Sequence, residues 1–315
     1  RILSGHDDGL HISNCKGKIL VDGCSFAGLM DDPINVHGTS VQIKEKISSK
    51  KVKCKFMHEQ SIGFTWAQPG DEVGFIENES MSTVAKGKVA LFTKLSATEF
   101  ELTFDNDIPD SITIGDALEN LTWTPDVHIQ NSHFGSNRAR GILVSTPGEV
   151  LIEHNTFESS GSAILIPGDA NGWFESGAVQ NVTIRNNIFN DPCLTSMYQF
   201  CEGIISIDPE IPKMQAGKPF HRNITIEQNT FHAFDYPVLY AKSTEGLIFS
   251  GNTIAHSGRF APYHHRKATI TLESCLKVEV LNNRLTGDVP GNNIVLKNTA
   301  AKELKTDKTF QVAIQ

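Results

Sequence analysis

One phrase, apolar-x-apolar-x-x-Asn-x-Phe in its commonest form, recurs along this chain and restricts its fold more than any other feature. It reads VLIEHNTF at 150–157, VTIRNNIF at 182–189, ITIEQNTF at 224–231, LIFSGNTI at 247–254 and VEVLNNRL at 278–285. Weaker copies are VHIQNSHF at 127–134 and ILVDGCSF at 19–26. The asparagines stand at 155, 187, 229, 252 and 283, and the shortest interval, 229 to 252, is 23 residues. That period fits one coil of a parallel β-helix, the longer intervals holding extra loop. Apolar residues two apart share one strand face and point inward. Asn tolerates the left-handed conformation, so it is expected to turn the chain into the next strand. Its side chains would then stack as a ladder, with Phe26, Phe134, Phe157, Phe189 and Phe231 stacked inside. No segment keeps a helical apolar stripe over three turns. The expected fold is all-β, a right-handed parallel β-helix.

A second strand per coil aligns as HDDGLHIS (6–13), MDDPINVH (30–37), RARGILVS (138–145), GSAILIPG (161–168), CEGIISID (201–208) and DYPVLYAK (235–242). This register puts Asp8, Asp32, Arg140, Ser162, Glu202 and Tyr236 in one column, with Asp7, Asp31, Ala139 and Cys201 beside it. It also leaves Leu143, Leu165, Ile205 and Leu239 facing outward. A strand apolar on both faces is covered on both, so another domain or subunit is expected there, a homo-oligomer among the options. The rhythm stops in the middle of the chain, where short alternating strands such as VKCKF, KVALF and FELTF alternate with Pro-Gly-Asp and Gly-Asp turns. The domain reading is therefore β-helix over 1–41, an inserted small antiparallel β-barrel over 42–121, and β-helix again over 122–315.

Charge and cysteine content narrow the class. The formal net charge of −8 opposes a nucleic-acid partner, whose phosphates attract a basic surface. No apolar run is long enough to span a membrane. The opening at Arg1 has neither an initiator Met nor a signal-peptide pattern and reads as an internal position of a longer protein. Six cysteines read as buried thiols, with at most one local bridge such as Cys193–Cys201.

The candidate chemistry lies in a doublet, Asp7-Asp8, repeated 24 residues later as Asp31-Asp32. Neighbouring strands lie about 4.8 Å apart, so one coil brings four carboxylates to the same edge. Like charges that close raise at least one pKa. Glycoside hydrolysis needs such a pair, one carboxyl as acid and one as base or nucleophile. A solvated acidic turn or a calcium cluster would use the same residue types.

Two Asp doublets one coil apart, followed by His37-Gly38, are similar to the arrangement in polygalacturonase-type β-helix hydrolases. The segments HDDGLHISNC, GLMDDPINVHGT, RARGILVSTPG and CEGIISIDPE more closely resemble glycoside hydrolase family 110, the α-1,3-galactosidases. The resemblance covers essentially the whole chain. It implies an exo-acting, inverting hydrolase that releases terminal α-1,3-linked galactose from glycans, blood-group-B structures included, without metal or other cofactor. It also implies a secreted or periplasmic protein. Carried onto this sequence, the catalytic carboxylates are Asp8, Asp31 and Asp32, with acid and base unassigned.

Sugar-binding candidates are Asp7, His37, Arg138, Arg140, Trp173 and Glu202. Arginines can donate paired hydrogen bonds to hydroxyls, and Trp173, in the loop DANGWFES, can stack on a sugar face. Strand alternation groups Asp7 with the outward Gly9 and His11; it would exclude Asp31 as well, unless a bulge intervenes. Two other readings stay open. One is a calcium-dependent polysaccharide lyase or polygalacturonase-like enzyme using Arg140, and the other is a β-helix that binds glycans without catalysis.

Overall fold

A computed structural model describes residues 3–191, 193–194, 201–287 and 291–315. Its strands form three parallel sheets and one closed antiparallel barrel. The sheet that will carry the site has ten strands, beginning with Leu10–Ser13, Ile34–Thr39 and Ile142–Ser145 and continuing through Ile164–Ile166, Ile205–Ile207 and Leu239–Lys242. An eight-stranded sheet and a seven-stranded sheet of very short strands complete each coil. The recurrent phrase supplies both: its apolar-x-apolar part forms strands such as Val150 within Glu149–Glu153, and its x-Phe part forms pairs such as Thr156–Phe157.

Inside, Phe26, Phe134, Phe157, Phe189 and Phe231 stack in parallel, with centroid spacings of 5.3, 4.8, 4.9 and 4.6 Å. Phe249 continues the column, tilted, at 6.0 Å. The asparagine ladder also forms. Asn155 Nδ2 donates to Asn187 Oδ1 at 3.1 Å, Asn187 to Asn229 at 3.0 Å, Asn229 to Asn252 at 3.1 Å and Asn252 to Asn283 at 3.1 Å. The left-handed residue, however, is not the ladder asparagine. Positive φ falls on the residue before it: His154, Asn186, Gln228, Gly251 and Asn282. That turn rotates each ladder side chain inward, where both its amide and its carbonyl find partners.

The register differs from the sequence reading at one coil. Ile164 pairs with Ile205, not with Ile204, and Ile205 pairs with Leu239. Ile205 and Leu239 therefore join the inward column of Ile34, Ile142 and Ile164, and the outward positions are Ser206 and Tyr240. Adjacent Ile204 and Ile205 satisfy an apolar alternation in either phase, and a one-residue slip exchanges faces. Leu143 and Leu165 do face outward. Part of the cover on this face comes from the chain itself: the short strand Glu175–Ser176 pairs antiparallel with Thr39 and Gly38. A Cβ on Gly38 would lie 2.7 Å from Ser176 Oγ and 3.3 Å from Ser176 O, so a larger residue would crowd that approach.

The barrel runs from Val41–Ser48 to Ala117–Asn120, with its own core around Trp66, Phe75, Phe100 and Phe104. Trp66 fastens it to the β-helix, donating from Nε1 to Thr39 O at 2.7 Å, while Asn120 Nδ2 donates to Trp66 O at 2.9 Å. All six cysteines are free, so the Cys193–Cys201 bridge does not form; Cys54, Cys193, Cys201 and Cys275 are buried thiols, whereas Cys24 is exposed. Among the described residues no helix is long and apolar enough to cross a membrane.

Candidate active site

Both acidic doublets lie in bends just before their strands, Leu10–Ser13 and Ile34–Thr39, so the alternation of a strand does not govern them. Asp7 points away from the cluster and is exposed, its carboxylate 2.9 Å from His6 Nδ1. Asp31 turns the other way. One carboxylate oxygen from each of Asp8, Asp31 and Asp32 lies within 4.8 Å of the others.

These three carboxyls have different surroundings. Asp32 is buried at 1% exposure, and its Oδ1 accepts from Arg140 N at 3.0 Å and Arg140 Nε at 2.8 Å. Asp8 Oδ1 accepts from Asp32 N at 3.1 Å, and its Oδ2 lies 3.0 Å from His11 Nδ1. Burial opposes the ionisation of Asp8, but the bond and charge of His11, with Asp32 N–H and Asn35, outweigh it and hold its pKa below the ordinary value. Asp31 is shifted up, first by burial and then by the charges of Asp32 and Asp8, with Arg140 and Arg138 opposing. Arg140 Nη2 stands 3.7 Å from Asp31 Oδ1. Arg138 Nε donates to Met30 O at 2.7 Å and so braces the bend that carries Asp31-Asp32.

His37 is almost fully buried and reaches Asp8 only through His11: its Nε2 lies 2.7 Å from His11 Nε2, and its Nδ1 donates to Gly38 O at 2.6 Å. Burial lowers His37 to about 4. Glu175, delivered by the loop 169–176, places Oε1 3.5 Å from His37 Nε2 and 3.5 Å from Asn35 Nδ2. Sequence reasoning passed over His11 as merely outward-facing, and passed over Glu175. The signal for His11 was present: His11 and His37 alternate with the inward Ile12 and Val36 on paired strands. Glu175 offered none, because it arrives from a loop 140 residues beyond Asn35.

Two candidates make their contacts outside the carboxyl cluster. Glu202 is ion-paired with Arg266 and lies 3.6 Å from His265, outside the Asp8–Asp32–Arg140 column because of the register slip. Trp173 is 52% exposed, with its ring 4.4 Å from that of His58 of the barrel. Among the described residues two groups have donors close enough together to hold a cation, Asp8-Asp31-Asp32 and His11-His37-Glu175. In the first, the Arg140 guanidinium already supplies the positive charge at Asp32.

Comparison with known proteins decides the family. Residues 51–118 match the GLAA-B beta-barrel domain II, and residues 117–305 match the right handed beta helix region. Alpha-1,3-galactosidase B of Bacteroides thetaiotaomicron is 53% identical over 98% of this chain and 50% of its own length. Alpha-1,3-galactosidase A of Bacteroides fragilis strain YCH46 is 43% identical over 97% of this chain and 51% of its own length. The chain belongs to the right-handed β-helix family and, within it, to glycoside hydrolase family 110. It spans about half the length of the curated relatives it matches.

Proposed function

We propose that this chain carries the catalytic site of an exo-acting glycoside hydrolase that releases terminal α-1,3-linked galactose, inverting the anomeric centre without a metal. The observation that carries the reading is the divergence of three stacked carboxyls, with Asp8 shifted down and Asp31 shifted up within one cluster. Titratable neighbours whose environments push them apart divide the roles of acid and base. Asp31, the carboxyl whose surroundings oppose its ionisation, gives its proton to the glycosidic oxygen as the bond to the anomeric carbon breaks. Asp8 takes a proton from the water whose oxygen bonds to that carbon. Asp32 holds Arg140 beside Asp31, and its charge opposes the ionisation of Asp31. The names of the relatives support galactose as the sugar released.

Inversion rests on the family resemblance and asks something of the geometry. The closest carboxyl oxygens are within 4.8 Å, less than the ~6.5–9.5 Å common between the two carboxyls of inverting enzymes. The attacking water must then lie on the flank of Asp8 away from Asp31. We place Arg138 and Trp173 among the groups that meet the sugar or its aglycone, with Asp7, His37 and Glu202 contributing less directly. Arg140 already donates to Asp32 through N and Nε, which favours a positioning cation over a lyase base. Export of the protein to the periplasm or beyond fits a glycan substrate.

The deciding experiment follows galactose release from an α-1,3-linked galactose disaccharide by NMR, with and without chelator. Initial β-galactose that persists in chelator is the expected result. Initial α-galactose, or loss of activity in chelator, counts against the reading.

A further inference from the structure

We infer that His11 is a positioning residue that holds Asp8 as the ionised base, and that His37 and Glu175 in turn hold His11. This deepens the proposed hydrolase reading and rests on it for its kinetic test. The argument begins with hydrogen-bond polarity. His37 Nδ1 faces the Gly38 carbonyl at 2.6 Å, and a carbonyl only accepts, so Nδ1 carries a proton; burial keeps the ring neutral, so Nε2 offers a lone pair. His11 Nε2, 2.7 Å from that lone pair, must therefore donate. His11 Nδ1, 3.0 Å from the Asp8 carboxylate, must donate as well. A histidine that donates from both nitrogens is an imidazolium.

The surroundings agree. The groups facing His11 are Asp8 on its own coil, His37 and Asp32 on the next, and Glu175 from the covering loop. Three are carboxyls and the fourth is the buried His37, so a cation here is well compensated. Glu175 is not free to move away. Its loop is tied by Asp169, which accepts from the backbone N–H of Asn171, Gly172 and Phe174, and by Ser40 N donating to Phe174 O at 2.8 Å. An ion pair anchored at both ends fixes the rotamer of Asp8 and keeps a positive charge beside it. Such a charge at this distance lowers a carboxyl pKa by about 1–3.

The test uses the full chain and the α-1,3-galactose disaccharide. His11→Gln should lower kcat about 10- to 100-fold, less than loss of a proton-transferring group. It should also move the acidic limb of kcat/KM up by about one pH unit, because Asp8 without its cation ionises later. Glu175→Gln should act in the same direction more weakly, and the double variant should lose less than the two losses combined. A purely structural role would lower kcat and leave the limb in place, and that result overturns the inference.

A second measurement needs neither variant nor turnover. In the ¹⁵N spectrum of histidine-labelled wild-type protein at pH 7, His11 should show two protonated ring nitrogens and His37 one protonated Nδ1. A neutral His11 overturns the proposal. So does tight one-to-one binding of zinc ion that is lost in His11→Gln, which would make the group a metal site. If the wild type releases no galactose, the hydrolase reading fails while the histidine spectrum still decides the state of His11.

Discussion

The asparagine ladder and the acidic cluster are built the same way and behave in opposite ways. Both stack like side chains from successive coils. In the ladder each amide is donor and acceptor at once, so Asn187 accepts from Asn155 and donates to Asn229, and every rung strengthens the next. In the cluster an ionised carboxylate only accepts, so stacking Asp8, Asp31 and Asp32 brings repulsion unless donors intervene. Arg140 intervenes at Asp32 and His11 at Asp8; Asp31 has a guanidinium at 3.7 Å and the charge of Arg138, but burial and two negative neighbours outweigh them. A coil geometry that is stabilising for one residue type therefore stores chemical potential for another. The least compensated rung is the one fit to give up a proton.

Breaking the cluster should have the largest consequence. Asp8→Asn, Asp31→Asn and Asp32→Asn should each remain folded and lose about 10²–10⁴ in kcat/KM on the α-1,3-galactose disaccharide. Their effects in combination should not multiply, since they act as one unit. Asp7→Asn, whose carboxylate is exposed and directed at His6, should keep at least about a tenth of wild-type activity, well outside that range. An inactive Asp7→Asn beside an active Asp31→Asn would show that the two bends are arranged the other way round.

The comparison can be sharpened by turning one rung of the ladder into a rung of the cluster. In Asn229→Asp the carboxylate still accepts from Asn187, but it loses the donor that faces Ile184 O and Asn252 Oδ1. Two acceptors then face a buried negative charge with no cation near, a loss of about 3–5 kcal/mol at neutral pH. The sign follows from linkage. The folded-state pKa of the new carboxyl is raised above its unfolded value of about 3.9, so the penalty is small below that pH and grows as pH rises toward the folded pKa. Urea melts at about pH 4 and pH 7 should diverge for the variant far more than for the wild type. Equal losses at both pH values would mean that the ladder tolerates a charge.

The ladder and the phenylalanine stack were legible because one phrase carries both, and a repeated phrase fixes its own register. The register of 203–208 was not, since adjacent Ile204 and Ile205 fit a strand in either phase and only pairing with Leu239 selects one. The carboxylates of the site were legible from the doubled Asp pair. Their environments were not: Arg140 is 108 residues from Asp32 and was seen as a column neighbour, whereas its bidentate hold depends on side-chain geometry. The left-handed turn was assigned one residue late. Asn tolerates positive φ, but His154 and Gln228 adopt it here because their neighbours need to face inward.

The smallest expected effect is also the one that separates stability from function most cleanly. Asp31 has a folded-state pKa above its ordinary value because burial and the charges of Asp32 and Asp8 oppose its ionisation. A carboxyl raised in this way costs nothing below its unfolded pKa and becomes a penalty as pH rises through the folded value. Asp31→Asn removes the penalty while keeping the shape, so the inactive variant should be slightly more stable than the wild type at neutral pH. The side chain is 45% exposed and water screens much of the repulsion, so the gain should be small, about 1–2 °C in Tm. The gain should vanish near pH 3, where both proteins carry an uncharged group at this position. Asp8→Asn should do the reverse at neutral pH and lower Tm, because the Asp8 carboxylate is stabilised by His11 and Asp32 N–H. Calorimetric scans of the two variants at pH 3 and pH 7 would measure both signs. If Asp31→Asn is the less stable of the two at pH 7, the strain lies on Asp8 and the acid and base must be exchanged.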